Sequence, residues 1–102
     1  MNKNFQILHR LEQVIKDKRN ASPSNSYTAS LFENGKEKIA NKFGEEAFET
    51  VTAFLSQTKN DLSQETADLI YHLFVLLESA EVDFEKVLMI LEQRMKENVK
   101  RE

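Results

Sequence analysis

Apolar residues recur along this chain at intervals of three and four, the spacing of one helix face, in five successive segments. The first segment runs roughly from Phe5 to Lys18, where Leu8, Leu11 and Ile15 form a stripe that Ile7 and Val14 widen. Arg19-Asn20-Ala21-Ser22-Pro23-Ser24-Asn25-Ser26 interrupts the pattern with turn residues and reads as a loop. Ser26 or Thr28 can cap a short helix through Leu31 and Phe32, which Asn34-Gly35 closes. A third helix is predicted from about Lys36 to Gln57, with Phe43, Ala47, Val51 and Phe54 as its apolar stripe. A turn follows at Thr58-Lys59-Asn60. Asp61 and Gln64 then make a capping-box-like start to a fourth helix that reaches about Ser79. Asp83 caps a fifth, with Val82 and Val87 as a hydrophobic staple and Phe84, Val87, Leu88, Leu91 and Met95 as its stripe. The charged tail from Lys96 to Glu102 is expected to fray.

The chain has only two glycines and one proline, which leaves few breakpoints. The prediction is an all-α fold of four to five helices in a single domain spanning residues 1–102. The third and fourth helices, joined by a short turn, form an antiparallel hairpin at its core. On the fourth helix, Leu69, Ile70, Tyr71, Leu73, Phe74, Val75, Leu76 and Leu77 cover nearly the whole circumference. A helix that is apolar all round is buried all round. A chain of 102 residues supplies little cover for it, so a homodimer or dimer of dimers is expected to complete the fold.

Charge and composition narrow the function. Charged residues make up 30% of the chain and the net charge is −3, which gives no electrostatic footprint for nucleic acid or an anionic membrane. There is no cysteine, so disulfides, thiolate metal sites and thiol nucleophiles are excluded. The N-terminus leads into an amphipathic segment instead of a signal-peptide apolar run. The apolar stretch around Leu69 to Leu77 is interrupted by His72 and is too short to span a bilayer. A cytoplasmic location is expected.

The chemistry concentrates in two acidic clusters, Glu45-Glu46-Ala47-Phe48-Glu49 and Glu65-Thr66-Ala67-Asp68. Each places carboxylates three residues apart, a rotation of roughly 300°, so each pair shares one helix face. The clusters centre near residues 47 and 67, whose midpoint falls close to the turn. Both therefore lie about 15 Å from it, at matching height on the two arms of the hairpin. Like charges so close destabilise a helix unless a cation neutralises them. All-oxygen ligands suit a hard ion, Mg²⁺ or Mn²⁺. This is the outline of a metal-dependent phosphate-chemistry site.

Each neighbour has a plainer reading as well. A solvated face with a Lys42–Glu46 pair would account for the first cluster alone; the second cluster across the hairpin outweighs it. Lys42 shares the face of Glu46 and Glu49 and can meet phosphate oxygens. Glu45 points partly away, as a surface residue, a supporting group or a ligand of a second metal. Gly44 either permits a close helix crossing or leaves room for substrate. His72 lacks the Glu-x-x-His spacing of di-iron bundles and reads as a core or interface histidine bonded to a neighbour. His9 carries no signal.

The spacing Glu-Glu-x-x-Glu followed by Glu-x-x-Asp resembles the MazG-like all-α nucleotide pyrophosphohydrolases. Ser26-Tyr27-Thr28-Ala29-Ser30-Leu31, Gly35-Lys36-Glu37-Lys38-Ile39, Lys42-Phe43-Gly44-Glu45-Glu46-Ala47 and Glu65-Thr66-Ala67-Asp68-Leu69-Ile70-Tyr71-His72-Leu73 narrow the match. They resemble the phosphoribosyl-ATP pyrophosphohydrolase family, over about residues 5 to 95. That resemblance implies hydrolysis of phosphoribosyl-ATP to phosphoribosyl-AMP and pyrophosphate, the second step of histidine biosynthesis, with water as nucleophile. It implies Glu46, Glu49, Glu65 and Asp68 as ligands of Mg²⁺, with Mn²⁺ as the alternative. Glu45 would bind a second metal or activate water beside Glu46 and Glu49. Lys42 would contact phosphate, and Ser26, Tyr27 and Thr28 would contact the nucleotide substrate. A C-terminal tail shorter than in many members and no fused cyclohydrolase domain are expected, with the next pathway step in a separate protein. Two other readings stay open: a housekeeping nucleoside triphosphate pyrophosphohydrolase with the same acidic site, and a non-catalytic helical dimerisation module.

Overall fold

The structure is a computed structural model that describes residues 6–101. Five helices follow in order: α1 (Gln6–Arg19), α2 (Tyr27–Asn34), α3 (Lys36–Ser56), α4 (Lys59–Ser79) and α5 (Phe84–Arg101). Among the described residues there is no strand, and the all-α expectation holds. Phe5, the expected first helical residue, and Glu102 lie outside the described residues.

The helix boundaries follow local chemistry. The Ser26 hydroxyl oxygen accepts the Ala29 amide at 3.1 Å and starts α2. Gly35, at φ 95°, closes α2 through amide bonds to the Leu31 and Phe32 carbonyls. That left-handed value favours glycine. The start of α4 differs from the prediction. Thr58, not Asp61, is the N-cap: its hydroxyl accepts from the Asp61 amide at 3.1 Å, and the Asp61 carboxylate accepts from the Thr58 amide at 3.2 Å. Asp61 is therefore the third helical residue of a reciprocal capping box. The hairpin connection shrinks to Gln57 and Thr58.

At the start of α5, the Glu12 carboxylate on α1 accepts the Phe84 amide at 2.9 Å. The helix then continues to Arg101, past the point where the charged tail was expected to fray.

Ile15, Leu31, Ile39, Phe74 and Val75 form the core, with Leu8, Leu11, Phe32, Ile70, Tyr71, Leu73, Leu76 and Phe84 around it. α4 packs along α3 and against α1, and α2 bridges α1 and α3. Three expectations about faces change. Ile7 and Val14 do not widen the buried stripe of α1; they are exposed. On α3 the buried line is Ile39, Glu46 and Ala53, while Val51 and Phe54 face outward with Phe48 and Leu55. And α4 finds more cover inside one chain than its composition suggested. His72, Phe74 and Val75 are buried, and its other large apolar residues are half-buried. The apolar side chains left most exposed lie instead on α3 (Phe48, Phe54, Leu55) and on α5 (Met89, Met95). α5 contributes Phe84, whose ring centre is 4.5 Å from that of Phe74, and beyond it Met89 to Met95 are exposed.

Candidate active site

The α3–α4 hairpin brings three carboxylates to one point. Glu46, Glu49 and Glu65 each place an oxygen within 4.8 Å of the others. Glu46 occupies the buried stripe of α3, Glu65 is half-buried on α4, and Glu49 is exposed one turn along from Glu46. Glu46 Oε2 and Glu65 Oε2 are enclosed yet have no hydrogen-bond partner. A buried carboxylate oxygen without a donor is costly. Burial, then the charge of Glu49, pushes both the Glu46 and Glu65 carboxyls above the usual carboxylate range. Two orphaned acceptors converging with a third carboxylate fit a hard cation, which is the partner that oxygen-only ligand sets accept best.

The main chain around the cluster is tied across the hairpin. The Thr50 hydroxyl is shared between the Glu46 carbonyl on its own helix, at 2.8 Å, and the Glu65 carbonyl on α4, at 3.2 Å. No motif in the sequence marks Thr50. Its signal was a hydroxyl residue four positions after Glu46, on the face that turns out to be inside.

The remaining predicted residues surround the cluster unequally. Asp68 is exposed, one turn beyond Glu65 and outside the trio, although its charge adds to the upward push on Glu46 and Glu65. Glu45 is exposed and pairs with Lys42 at 3.3 Å, so the lysine's partner is Glu45 and not Glu46. That bond, then the Tyr27 phenol nearby, holds the Lys42 ammonium above its ordinary value. Tyr27 is half exposed, and its hydroxyl lies 3.2 Å from His72 Nε2. Thr28 is buried, with its hydroxyl bonded to that of Tyr71. Ser26 uses its oxygen as the α2 cap. Gly44 is exposed, and a Cβ built there would meet nothing within 4 Å, so no helix among the described residues crosses it closely.

Seen along the hairpin, the carboxylates separate two environments. Toward the Gln57–Thr58 connection lies an open cleft of about 470 Å³ lined by Phe48, Glu49, Thr52, Gln57 and Glu65. That volume is in the range of small-ligand sites. Away from the connection lie Lys42, Tyr27 and His72. Anionic ligands near the trio would thus meet both the carboxylate cluster and a lysine.

A family model described as phosphoribosyl-ATP pyrophosphohydrolase matches residues 8–95. The chain belongs to this family. A Zymomonas mobilis protein named phosphoribosyl-ATP pyrophosphatase is 49% identical over 89 residues, covering 87% of this chain and 83% of that one. Proteins named histidine biosynthesis bifunctional protein HisIE are similar too. The one from Haemophilus influenzae is 46% identical, covering 83% of this chain and 38% of its own. The one from Campylobacter jejuni is 45% identical, covering 93% and 46%. The chain spans less than half the length of these bifunctional relatives. Within the family match lie all the residues singled out above, from Ser26 to His72. No described helix is long and apolar enough to cross a membrane.

Proposed function

We propose that the chain hydrolyses phosphoribosyl-ATP to phosphoribosyl-AMP and pyrophosphate, the histidine-biosynthesis step for which its family is named. The observation that carries this reading is the pair of enclosed, unpartnered carboxylate oxygens on Glu46 and Glu65, converging with Glu49 in a member of that family. Glu46, Glu49 and Glu65 are the proposed ligands of Mg²⁺, which Mn²⁺ can replace; Asp68, one turn farther on α4, is the fourth. A bound divalent ion neutralises charge that builds on phosphate oxygens and makes coordinated water easier to deprotonate.

The chain's own groups do the rest. Glu49, the exposed member of the trio, accepts the proton of the attacking water, with Glu45, exposed one turn before it on the same helix, as the alternative. Water adds to phosphorus, and pyrophosphate leaves. The Lys42 ammonium offers a point charge to phosphate oxygens. Ser26 accepts through its oxygen at the cap, which leaves its O–H free to donate to the substrate. The free amides at the start of α2 favour an anion nearby.

The enzyme is proposed to act in the cytoplasm as a homodimer or dimer of dimers. The exposed Phe48, Phe54 and Leu55 of α3, together with the apolar residues of α5, support an assembly that covers them.

The test is pyrophosphate release from phosphoribosyl-ATP with and without Mg²⁺, beside a panel of ordinary nucleoside triphosphates. Release that requires the ion and favours phosphoribosyl-ATP is the expected result. Preference for an ordinary triphosphate would move the chain to a housekeeping role. No hydrolysis of any nucleotide would leave a helical interaction module.

A further inference from the structure

His72 is buried and makes two hydrogen bonds with different partners. Its Nδ1 lies 2.9 Å from the main-chain carbonyl oxygen of Asp68, and its Nε2 lies 3.2 Å from the Tyr27 hydroxyl. A carbonyl only accepts, so Nδ1 carries the hydrogen. In the neutral ring Nε2 is then a bare lone pair, and the Tyr27 O–H must donate to it. Tyr71 holds the arrangement from the side. Its ring meets His72 edge-on at 4.9 Å between centres and stacks on Tyr27 at 6.3 Å, while its hydroxyl bonds the buried Thr28. Tyr27 itself is 54% exposed, and its phenol lies close enough to Lys42 to act on the ammonium charge.

We infer that His72 is a positioning residue that commits the Tyr27 proton inward. The outward side of the Tyr27 oxygen is then a hydrogen-bond acceptor, suited to a sugar hydroxyl of the nucleotide. It is not suited to a phosphate oxygen. This rests on the hydrolase reading above. A phosphate oxygen has no hydrogen to give, and its only favourable partner on Tyr27 is already spent on His72. In a nucleotide the donors next to the phosphates are the sugar hydroxyls. Tyr27 sits beside the residues proposed to handle phosphate, where that sugar would lie. The two contacts thus divide the work: Lys42 and the cation that the carboxylate trio would hold take the phosphates, and Tyr27 takes the sugar.

The experiment uses steady-state kinetics on phosphoribosyl-ATP at mildly alkaline pH, with pyrophosphate as a product inhibitor. Tyr27→Phe keeps the ring and removes the acceptor. It should raise KM by about fivefold to tenfold, the worth of one neutral hydrogen bond, with kcat nearly unchanged. Its inhibition by pyrophosphate should stay at the wild-type level, because pyrophosphate carries no sugar. His72→Gln places an amide oxygen where Nε2 accepts and should keep KM near wild type. His72→Asn can still donate to the Asp68 carbonyl but cannot reach Tyr27, and should raise KM as Tyr27→Phe does. The double variant Tyr27→Phe/His72→Asn should raise it no further. An unchanged KM in Tyr27→Phe would overturn the inference, as would weakening of pyrophosphate inhibition in step with KM. So would His72→Gln and His72→Asn behaving alike, the result expected of a purely structural histidine. Wild-type protein that releases no pyrophosphate would overturn the hydrolase reading itself, and this inference with it.

Discussion

The Thr50 hydroxyl reaches the main-chain carbonyl of Glu65 across the α3–α4 hairpin at 3.2 Å, while the same hydrogen is held at 2.8 Å by the carbonyl of Glu46. One side chain therefore touches the backbone of both enclosed carboxylate residues. It fixes their relative height without using either carboxylate.

Thr50→Val removes that hydrogen and keeps the branched shape. The fold should lose about 1 kcal/mol, the net worth of a typical intramolecular hydrogen bond. Mg²⁺ affinity should fall by about tenfold, as for other partners that orient metal ligands. Urea unfolding and calorimetric titration measure the two effects. Unchanged metal affinity would show that the hairpin registers without Thr50.

Removing the charge of Glu49 or Glu65 tests the ligand set directly. Glu49→Gln and Glu65→Gln should each lower kcat/KM on the order of a hundredfold or more at fixed Mg²⁺, above the usual effect of an outer partner. Asp68→Asn separates two roles. A loss of the same size makes Asp68 a ligand, and a loss near tenfold makes it a neighbour that only shapes the field. Retained Mg²⁺-dependent activity in any of the three would remove that residue from the site.

In the metal-free protein the raised carboxyls of Glu46 and Glu65 give a defined pH dependence. Their folded values lie above the unfolded ones, so the folded state binds more protons between the two. Stability should therefore fall as pH rises from the ordinary carboxylate range through the raised values. Mg²⁺ should reverse this by binding the ionised native cluster, adding about 2.7 kcal/mol at a hundredfold excess over Kd. Melting temperature against pH, with and without Mg²⁺ at constant ionic strength, tests both signs. The response to Mg²⁺ should vanish in Glu46→Gln/Glu49→Gln/Asp68→Asn. An equal response there would mean the ion acts by screening.

How much of this was visible in the amino-acid pattern depends on what each signal encodes. Ser26 and Gly35 were legible because a cap and a left-handed residue act through their own neighbours. Glu46, Glu49 and Glu65 were legible because two short spacings about a turn bring them to matching height, but the same spacing also placed Asp68 with them, and helix rotation leaves Asp68 outside the trio. The faces of α3 were not. Periodicity assigns the apolar stripe to the inside, but here Glu46 lies on the inside face with Ile39 and Ala53, and Val51 and Phe54 face out. Thr58 was passed over because Asp61 is an equally good cap on composition alone. The reciprocal geometry that decides between them exists only once the chain folds.

The other end of α4 has the opposite pH sign. Glu78 accepts from Lys16 at 2.6 Å and from Arg19 at 3.0 Å. Burial alone would raise its carboxyl, but these bonds outweigh burial and hold it below the usual range. Its contribution is complete above the unfolded value and is lost as pH falls through the lowered folded one. Glu78→Gln should cost about 1–2 kcal/mol near neutrality, discounted for the partly exposed cations, and almost nothing in strong acid. Chemical unfolding at the two pH values checks the difference. Equal loss at both would mean packing, not charge, is at stake.

For the proposed assembly, Phe48→Glu/Leu55→Glu places charge on the exposed face of α3. Sedimentation equilibrium should then show a smaller species than wild type, with circular dichroism unchanged. An identical mass would move the interface to α5, whose apolar residues are next in line.

The two-residue connection between α3 and α4 also bears on when the site comes into being. Thr50 and Glu65 are fifteen positions apart along the chain, and the capping box at Thr58 sits between them. Closing so short a loop costs little entropy and takes little time. The carboxylate trio can thus assemble while α1 and α5 are still unfolded, since neither supplies a member of it. A nascent hairpin of this kind would present its acidic cluster before the core is complete. The ion proposed to serve the reaction would then be available to act earlier, as a nucleus for folding.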